Sequence, residues 1–198
     1  MSNNIYMSNV ICITNRMLAG NHFLLQVEKI AAAGPKAIIL REKDLAEPDY
    51  ELLAEQVLNI CKKYHVSCIL HTYSKVAFAR HADGIHLPLH ELRKLPNEYI
   101  YLFKIIGASI HTTAEAVEAQ KLGATYITAG HIFDTNCKKD LPPRGLGFLA
   151  DVCKSVSIPV YAIGGITKNN AFDCIDSGAS GVCIMSAFMV SEEPSSIM

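Results

Sequence analysis

The chain is poor in net charge, in paired cysteines and in nucleotide-binding glycine signatures, and each shortage removes a class of function. Its 18 lysines and arginines stand against 19 aspartates and glutamates, a net charge of −1 over 198 residues. The cations are scattered, so no basic stripe offers itself to nucleic acid and no polybasic helix to a membrane surface. Seven cysteines stand at 12, 61, 68, 137, 153, 174 and 183 without one C-x-x-C pair, which is not a zinc spacing. Their odd number, and the apolar company of Cys12, Cys68 and Cys183, indicate reduced core thiols and a cytoplasmic protein. Met1 to Asn9 is polar and lacks the hydrophobic region of a signal peptide. After Thr14 the chain reads Asn-Arg-Met-Leu-Ala-Gly rather than G-x-G-x-x-G, which argues against a doubly wound dinucleotide fold. No linker, low-complexity run or repeat divides residues 1–198, and half of them (50%) are apolar, enough for one core and one domain.

What is present is a rhythm. Short runs rich in β-branched residues recur eight times: Val10–Thr14, Ala37–Arg41, Ser67–His71, Gly84–Leu87, Lys104–Ser109, Tyr126–Ala129, Pro159–Ile163 and Gly181–Met185. Each is almost continuously apolar, as a strand covered on both faces must be. Amphipathic segments alternate with them: Phe23, Val27, Ile30 and Ala31 share one helical face, and Leu52, Leu53, Gln56, Val57 and Ile60 are expected to share another. Gly34, Gly123 and Gly178 stop helices just before a strand. Eight such units predict an α/β fold, a single (β/α)8 TIM barrel whose last helix is short or frayed, because only Ser186 to Met198 follow the eighth run. The stretch from Gly130 to Gly145 is the one long loop, and long loops in compact domains are usually functional.

Barrels of this kind work at the C-terminal ends of their strands. There the chain places Arg41, Glu42 and Lys43, His71, His86, Ser109 and His111, Gly130-His131, Gly164-Gly165 and Ser186. The amides of Gly164, Gly165 and the turn at Ser186 can converge on phosphate oxygens. Arg41 and Lys43 add positive charge at the same mouth, with Glu42 turned elsewhere by strand alternation. Lys138, Lys139 and Arg144 share the long loop with His131. The histidines at 71, 86, 111 and 131 form no H-x-H pair and no helical H-x-x-x-H, and only Glu42 and Glu91 stand near as carboxylates, so no metal site is expected. His86 reads as a satisfied core or rim histidine. His131 lies at a strand-to-loop corner and can remove and return a proton near neutral pH.

Four segments, Leu-Arg-Glu-Lys (40–43), Ala-Asp-Gly-Ile-His-Leu (82–87), Ala-Gly-His-Ile-Phe-Asp-Thr (129–135) and Ile-Pro-Val-Tyr-Ala-Ile-Gly-Gly-Ile (158–166), resemble the thiamine phosphate synthase superfamily. Its synthases couple a pyrimidine pyrophosphate to a thiazole phosphate, and its tautomerases isomerise that thiazole first. The resemblance implies Asn-Asp-Arg after the third strand of a synthase, with Asn and Asp holding magnesium, whereas His71, Thr72 and Tyr73 stand here. The pattern His-Leu-Gly-Gln-x-Asp is replaced by His86-Leu87-Pro88-Leu89-His90-Glu91, leaving one carboxylate, a poor magnesium cage. Gly130-His131-Ile132-Phe133, followed by Thr135-Asn136-Cys137-Lys138-Lys139, is similar to the tautomerase.

The resemblance therefore implies a thiazole tautomerase, with His131 as acid–base group. Gly164, Gly165 and Ser186 would hold phosphate, and Arg41, Lys43, Thr135 and Lys138 would orient substrate. Glu42, His71 and His111 stand in reserve as proton carriers. The expected partner is a small-molecule thiazole phosphate, with no nucleic acid and no membrane; a homodimer is compatible with the chain. No cofactor is required, and Mg2+ enters only if the chain is a synthase. That alternative, and a non-catalytic phosphate-ligand sensor on the same barrel, remain open.

Overall fold

The computed structural model describes residues 6–135 and 141–197. Eight strands, β1 (Val10–Ile13), β2 (Ala37–Leu40), β3 (Ser67–His71), β4 (Gly84–Pro88), β5 (Ile105–Ile110), β6 (Tyr126–Gly130), β7 (Val160–Ile163) and β8 (Gly181–Ile184), pair in chain order and in parallel. The barrel closes where β8 returns to β1, with Val10 opposite Val182 and Cys12 opposite Ile184. The expected (β/α)8 fold is therefore present, and each strand agrees with its apolar run to within one residue at either end.

Alternation along the strands creates two apolar compartments. Ile11, Ile13, Ala37, Ile39, Ile69, Tyr126, Tyr161 and Cys183 fill the barrel axis. The intervening residues, among them Val10, Cys12, Ile38, Leu40, Cys68, Leu70 and Val182, face the surrounding helices. This parity explains the continuous hydrophobicity of the runs: neither face meets water. It also sends Arg41 toward the axis and Glu42 away from it.

Between strands run α1 (Arg16–Ala19), α2 (Phe23–Ala32), α3 (Glu47–Lys63), α4 (Ser74–Ala79), α5 (Leu89–Leu92), α6 (Asn97–Leu102), α7 (Thr113–Lys121), α8 (Gly145–Ser155), α9 (Ala171–Asp176) and α10 (Ser186–Val190). The inner face of α2 is the expected one, Phe23, Val27, Ile30 and Ala31, joined by Gln26. That of α3 is not. Tyr50, Ala54, Val57 and Cys61 are buried, while Leu52 is 62% exposed and Gln56 faces solvent. Tyr50 sets this face, because its hydroxyl donates to the Leu40 carbonyl at 2.7 Å and accepts from the His71 amide at 2.9 Å, which orients the helix about that anchor.

The glycine stops at 34, 123 and 178 all have positive φ, as helix ends require. The last helix is indeed short, five residues followed by a 3-10 turn at Pro194–Ser196. It is nevertheless held: Phe188 is fully buried, and the Gln26 amide of α2 donates to the carbonyls of Phe188 at 2.5 Å and Ser191 at 2.8 Å.

At the top of the barrel Glu42 ties β1 to β2. Its carboxylate accepts from Thr14 Oγ1 at 2.6 Å and from the Arg16 amide at 2.9 Å, and Thr14 Oγ1 accepts in turn from the Arg41 amide at 2.9 Å. Burial pushes the Glu42 carboxyl above its usual range, while the Thr14 and Arg16 bonds pull it back. Glu42→Ala should therefore cost about 1–3 kcal/mol, because it orphans a buried hydroxyl and a backbone amide. A urea midpoint lowered at constant m-value would show it.

Candidate active site

The C-terminal mouth is organised by the segment leaving β6. Its backbone continues to pair with β7 beyond the strand, the Ile132 amide donating to the Ile163 carbonyl at 2.9 Å and the Phe133 amide to Gly164 at 3.0 Å. This seats His131 over the Gly164-Gly165 turn. Both glycines have positive φ, 99° and 67°, and a Cβ at Gly164 would lie 2.3 Å from the Cβ of His131. At Gly165 it would lie 2.3 Å from the Asp134 carbonyl oxygen. Neither position accepts a side chain, so packing of the His131 loop already demands the glycine pair before any ligand arrives.

His131 is 5% exposed, and its Nε2 lies 3.2 Å from the Leu141 carbonyl. A carbonyl only accepts, so this contact calls for the Nε2–H tautomer and leaves Nδ1 with the lone pair. His111 stands beside it. Its Nδ1 donates at 3.0 Å to the carbonyl of Gly130, the residue preceding His131, and its amide donates to Glu115. Ser186 is exposed at the start of α10, just after β8, the strand that pairs with β7. Thr135 is engaged in further interactions, as are Arg41 and Lys43. Lys138 lies outside the described residues.

Across the mouth, His71 and His86 stack with ring centroids 5.7 Å apart. His71 Nδ1 shares a hydrogen with Thr72 Oγ1 at 2.6 Å. His86 is satisfied on both sides, by Tyr126 Oη at 2.9 Å and Ser109 Oγ at 2.8 Å, and being buried it is the core rather than the rim histidine of the two expected. Burial is the main force on both rings. It pushes His71 down to about 2, helped by His86, Arg41 and Lys43, and His86 down to about 3, helped by Arg41. These shifts place Arg41 and Lys43 within electrostatic reach of His71, so the cations of β2 and the imidazoles of β3 and β4 do meet at one mouth. Ser109 stands where the strand ends were expected to put it, whereas its polar partners Tyr126 and Thr128 were missed as site residues. Their signal was strand parity, which points each of them at the axis.

The residues do not suit magnesium. His71 is a neutral buried imidazole and Thr72 is bonded to it, while Glu91, the remaining carboxylate, pairs with Lys94 at 3.1 Å and His90 at 3.3 Å. Among the described residues no three His, Cys, Asp or Glu gather as a metal site. A separate open groove beside α1 and α2, lined by Arg16, Met17, His22, Phe23, Leu24 and Leu53, contains none of the residues of the barrel mouth. No helix among the described residues is long and apolar enough to cross a membrane.

A closed parallel barrel with histidines, cations and a Gly-Gly turn gathered at the strand C-termini has the layout of a barrel enzyme. The family model for thiamine monophosphate synthase (TMP-TENI) matches residues 10–188. The chain is 38% identical to thiamine-phosphate synthase of Coprothermobacter proteolyticus, covering 88% of this chain and 84% of that protein. It is 35% identical to the enzyme of that name from Methanobrevibacter smithii, over 97% and 92%. Thiamine phosphate pyrophosphorylase from Pyrococcus furiosus superposes with a TM-score of 0.81 at 30% identity, covering 97% of this chain and 92% of that one. The chain belongs to the thiamine monophosphate synthase family, whose enzymes serve thiamine biosynthesis.

The buried imidazoles make an acid-sensitivity prediction. Folded His71 and His86 stay neutral down to about 2 and 3, whereas in the unfolded chain they protonate below about 6.5. The unfolded state then binds more protons, so stability falls as pH drops through that window, by at most roughly 1.4 kcal/mol per histidine per pH unit. Urea titrations between about pH 6 and pH 4 should give a slope for His86→Gln that is shallower than wild type by about one proton. Parallel slopes would mean that His86 is already protonated in the folded barrel.

Proposed function

We propose that the protein is a thiazole tautomerase, moving one proton from C2 of a carboxylated thiazole phosphate to its exocyclic carbon. The observation that carries this reading is His131, buried over the Gly164-Gly165 turn with Nε2 on the Leu141 carbonyl. In that tautomer Nδ1 is the base: it takes the C2 proton as the ring electrons shift, and the imidazolium returns a proton to the exocyclic carbon. The step is redox-neutral and ends in an aromatic ring, so one positioned base suffices. The amides of Gly164 and Gly165, with Ser186, hold the phosphate. Arg41, Lys43, Thr135 and Lys138 orient the rest of the substrate, its carboxylate among it. Glu42 is occupied in tying β1 to β2 and His71 is held neutral by burial, which leaves His111 the better placed of the reserve groups.

A second reading, thiamine phosphate synthase, is favoured by the relatives, which carry that name. It would require pyrophosphate to depart from a mouth whose single candidate carboxylate is paired with Lys94 and His90. Developing charge there would be poorly neutralised.

His131→Asn separates these readings from a structural role. Tautomerisation should fall by ~10²–10⁴, while affinity for the aromatic product phosphate changes little, because the phosphate is gripped elsewhere. The assay is loss of the non-aromatic isomer against its spontaneous rate, run beside a condensation assay with pyrimidine pyrophosphate and Mg2+. Magnesium-dependent condensation by the wild type would establish the synthase instead. Ligand binding with neither activity would leave a sensor.

A further inference from the structure

We infer that Tyr126 locks His86 in its Nε2–H tautomer and thereby turns the hydroxyl proton of Ser109 into the barrel mouth, so that Ser109 is a fixed hydrogen-bond donor to ligand. Tyr126 and His86 are then its positioning residues. The inference deepens the proposed function, resting on the mouth being the ligand site, but its core is a proton count within the barrel.

Three adjacent strands build the relay. His86 of β4 stands opposite Gly107 of β5, Gly107 opposite Tyr126 of β6, and Ser109 opposite Thr128. A Cβ at Gly107 would lie 2.3 Å from His86 Nδ1 and 2.4 Å from Tyr126 Oη. The missing side chain is thus the space in which the imidazole and the phenol meet. Their contact is 2.9 Å, His86 Nε2 reaches Ser109 Oγ at 2.8 Å, and Thr128 Oγ1 donates to Ser109 Oγ at 3.4 Å.

Burial keeps Tyr126 protonated and His86 neutral, so the phenol has one proton to place and the imidazole has one N–H and one lone pair. Among the described residues His86 Nδ1 is the sole hydrogen-bond partner of Tyr126 Oη. If Nδ1 carried the imidazole proton, it would point at the phenol oxygen and strand the phenol proton inside the barrel without an acceptor. Nδ1 therefore accepts and Nε2 donates to Ser109. Ser109 Oγ, receiving hydrogens from His86 and from buried Thr128, has no use for its own proton on that side. Ser109 itself is half-buried at the end of β5, and its proton is left to face the mouth.

Long-range 1H–15N spectra of the uniformly labelled full-length protein decide this, with the His86 signals assigned by their loss in His86→Gln. A single tautomer with a lone pair on Nδ1 and a proton on Nε2 is expected in the wild type, and a tautomer mixture in Tyr126→Phe. A protonated Nδ1 in the wild type, or an unchanged single tautomer in Tyr126→Phe, overturns the inference. Binding of the aromatic thiazole phosphate gives the functional arm: Ser109→Ala and Tyr126→Phe should each weaken it about three- to tenfold, and the double variant no more than Ser109→Ala alone. Additive losses would overturn the relay. If the wild type fails to bind that compound, the proposed function falls while the spectra still decide the tautomer.

Discussion

Closing eight short parallel strands on themselves gives each strand residue two directions only, toward the helices or toward a narrow axis. Every other feature follows from that division. The lower axis is filled by Ile11, Ile39, Ile69, Tyr161 and Cys183, and the outer compartment by a second apolar set. At the C-terminal end the same parity aims His71, His86, Ser109, Thr128 and Arg41 inward. Polar groups there are accepted because each buried one is bonded: among the described residues no buried side-chain nitrogen or oxygen lacks a partner.

The mouth is positively charged on one wall and neutral on another, and desolvation decides which. Arg41 and Lys43 retain charge at the rim, while burial, the larger effect, keeps the imidazoles of His71 and His86 uncharged beside them. On the opposite side, His131 is carried by backbone pairing of its loop to β7 rather than by a side-chain network.

The strands were legible because burial on both faces writes them as unbroken apolar runs, and the strand ends located the mouth. The Gly164-Gly165 pair was legible as a special position, but its cause was read as phosphate approach when contact with His131 and Asp134 also demands it. Such a cause lies in tertiary crossing of two loops, which no local pattern encodes. The face of α3 was misread for a related reason. Leu52 and Leu53 suggested a stripe, whereas the hydroxyl of Tyr50, bonded to β2 and β3, turned the helix to bury Ala54 and Cys61. Polar anchors of this kind are invisible to hydrophobic periodicity.

The seam between β1 and β8 sets the order in which the chain can be completed. A ribosome delivers β1 well before β8, so the hydrogen-bonding edge at Val10 waits for Val182 to be made. Gln26 waits with it, its amide lacking the carbonyls of Phe188 and Ser191 until α10 emerges. During that interval the nascent chain is an open curved sheet with an apolar edge, the form most exposed to wrong pairing with another copy. The segment from α10 to Ser191 that fastens onto α2 therefore acts as a clasp, and the barrel is sealed only once that segment has been made.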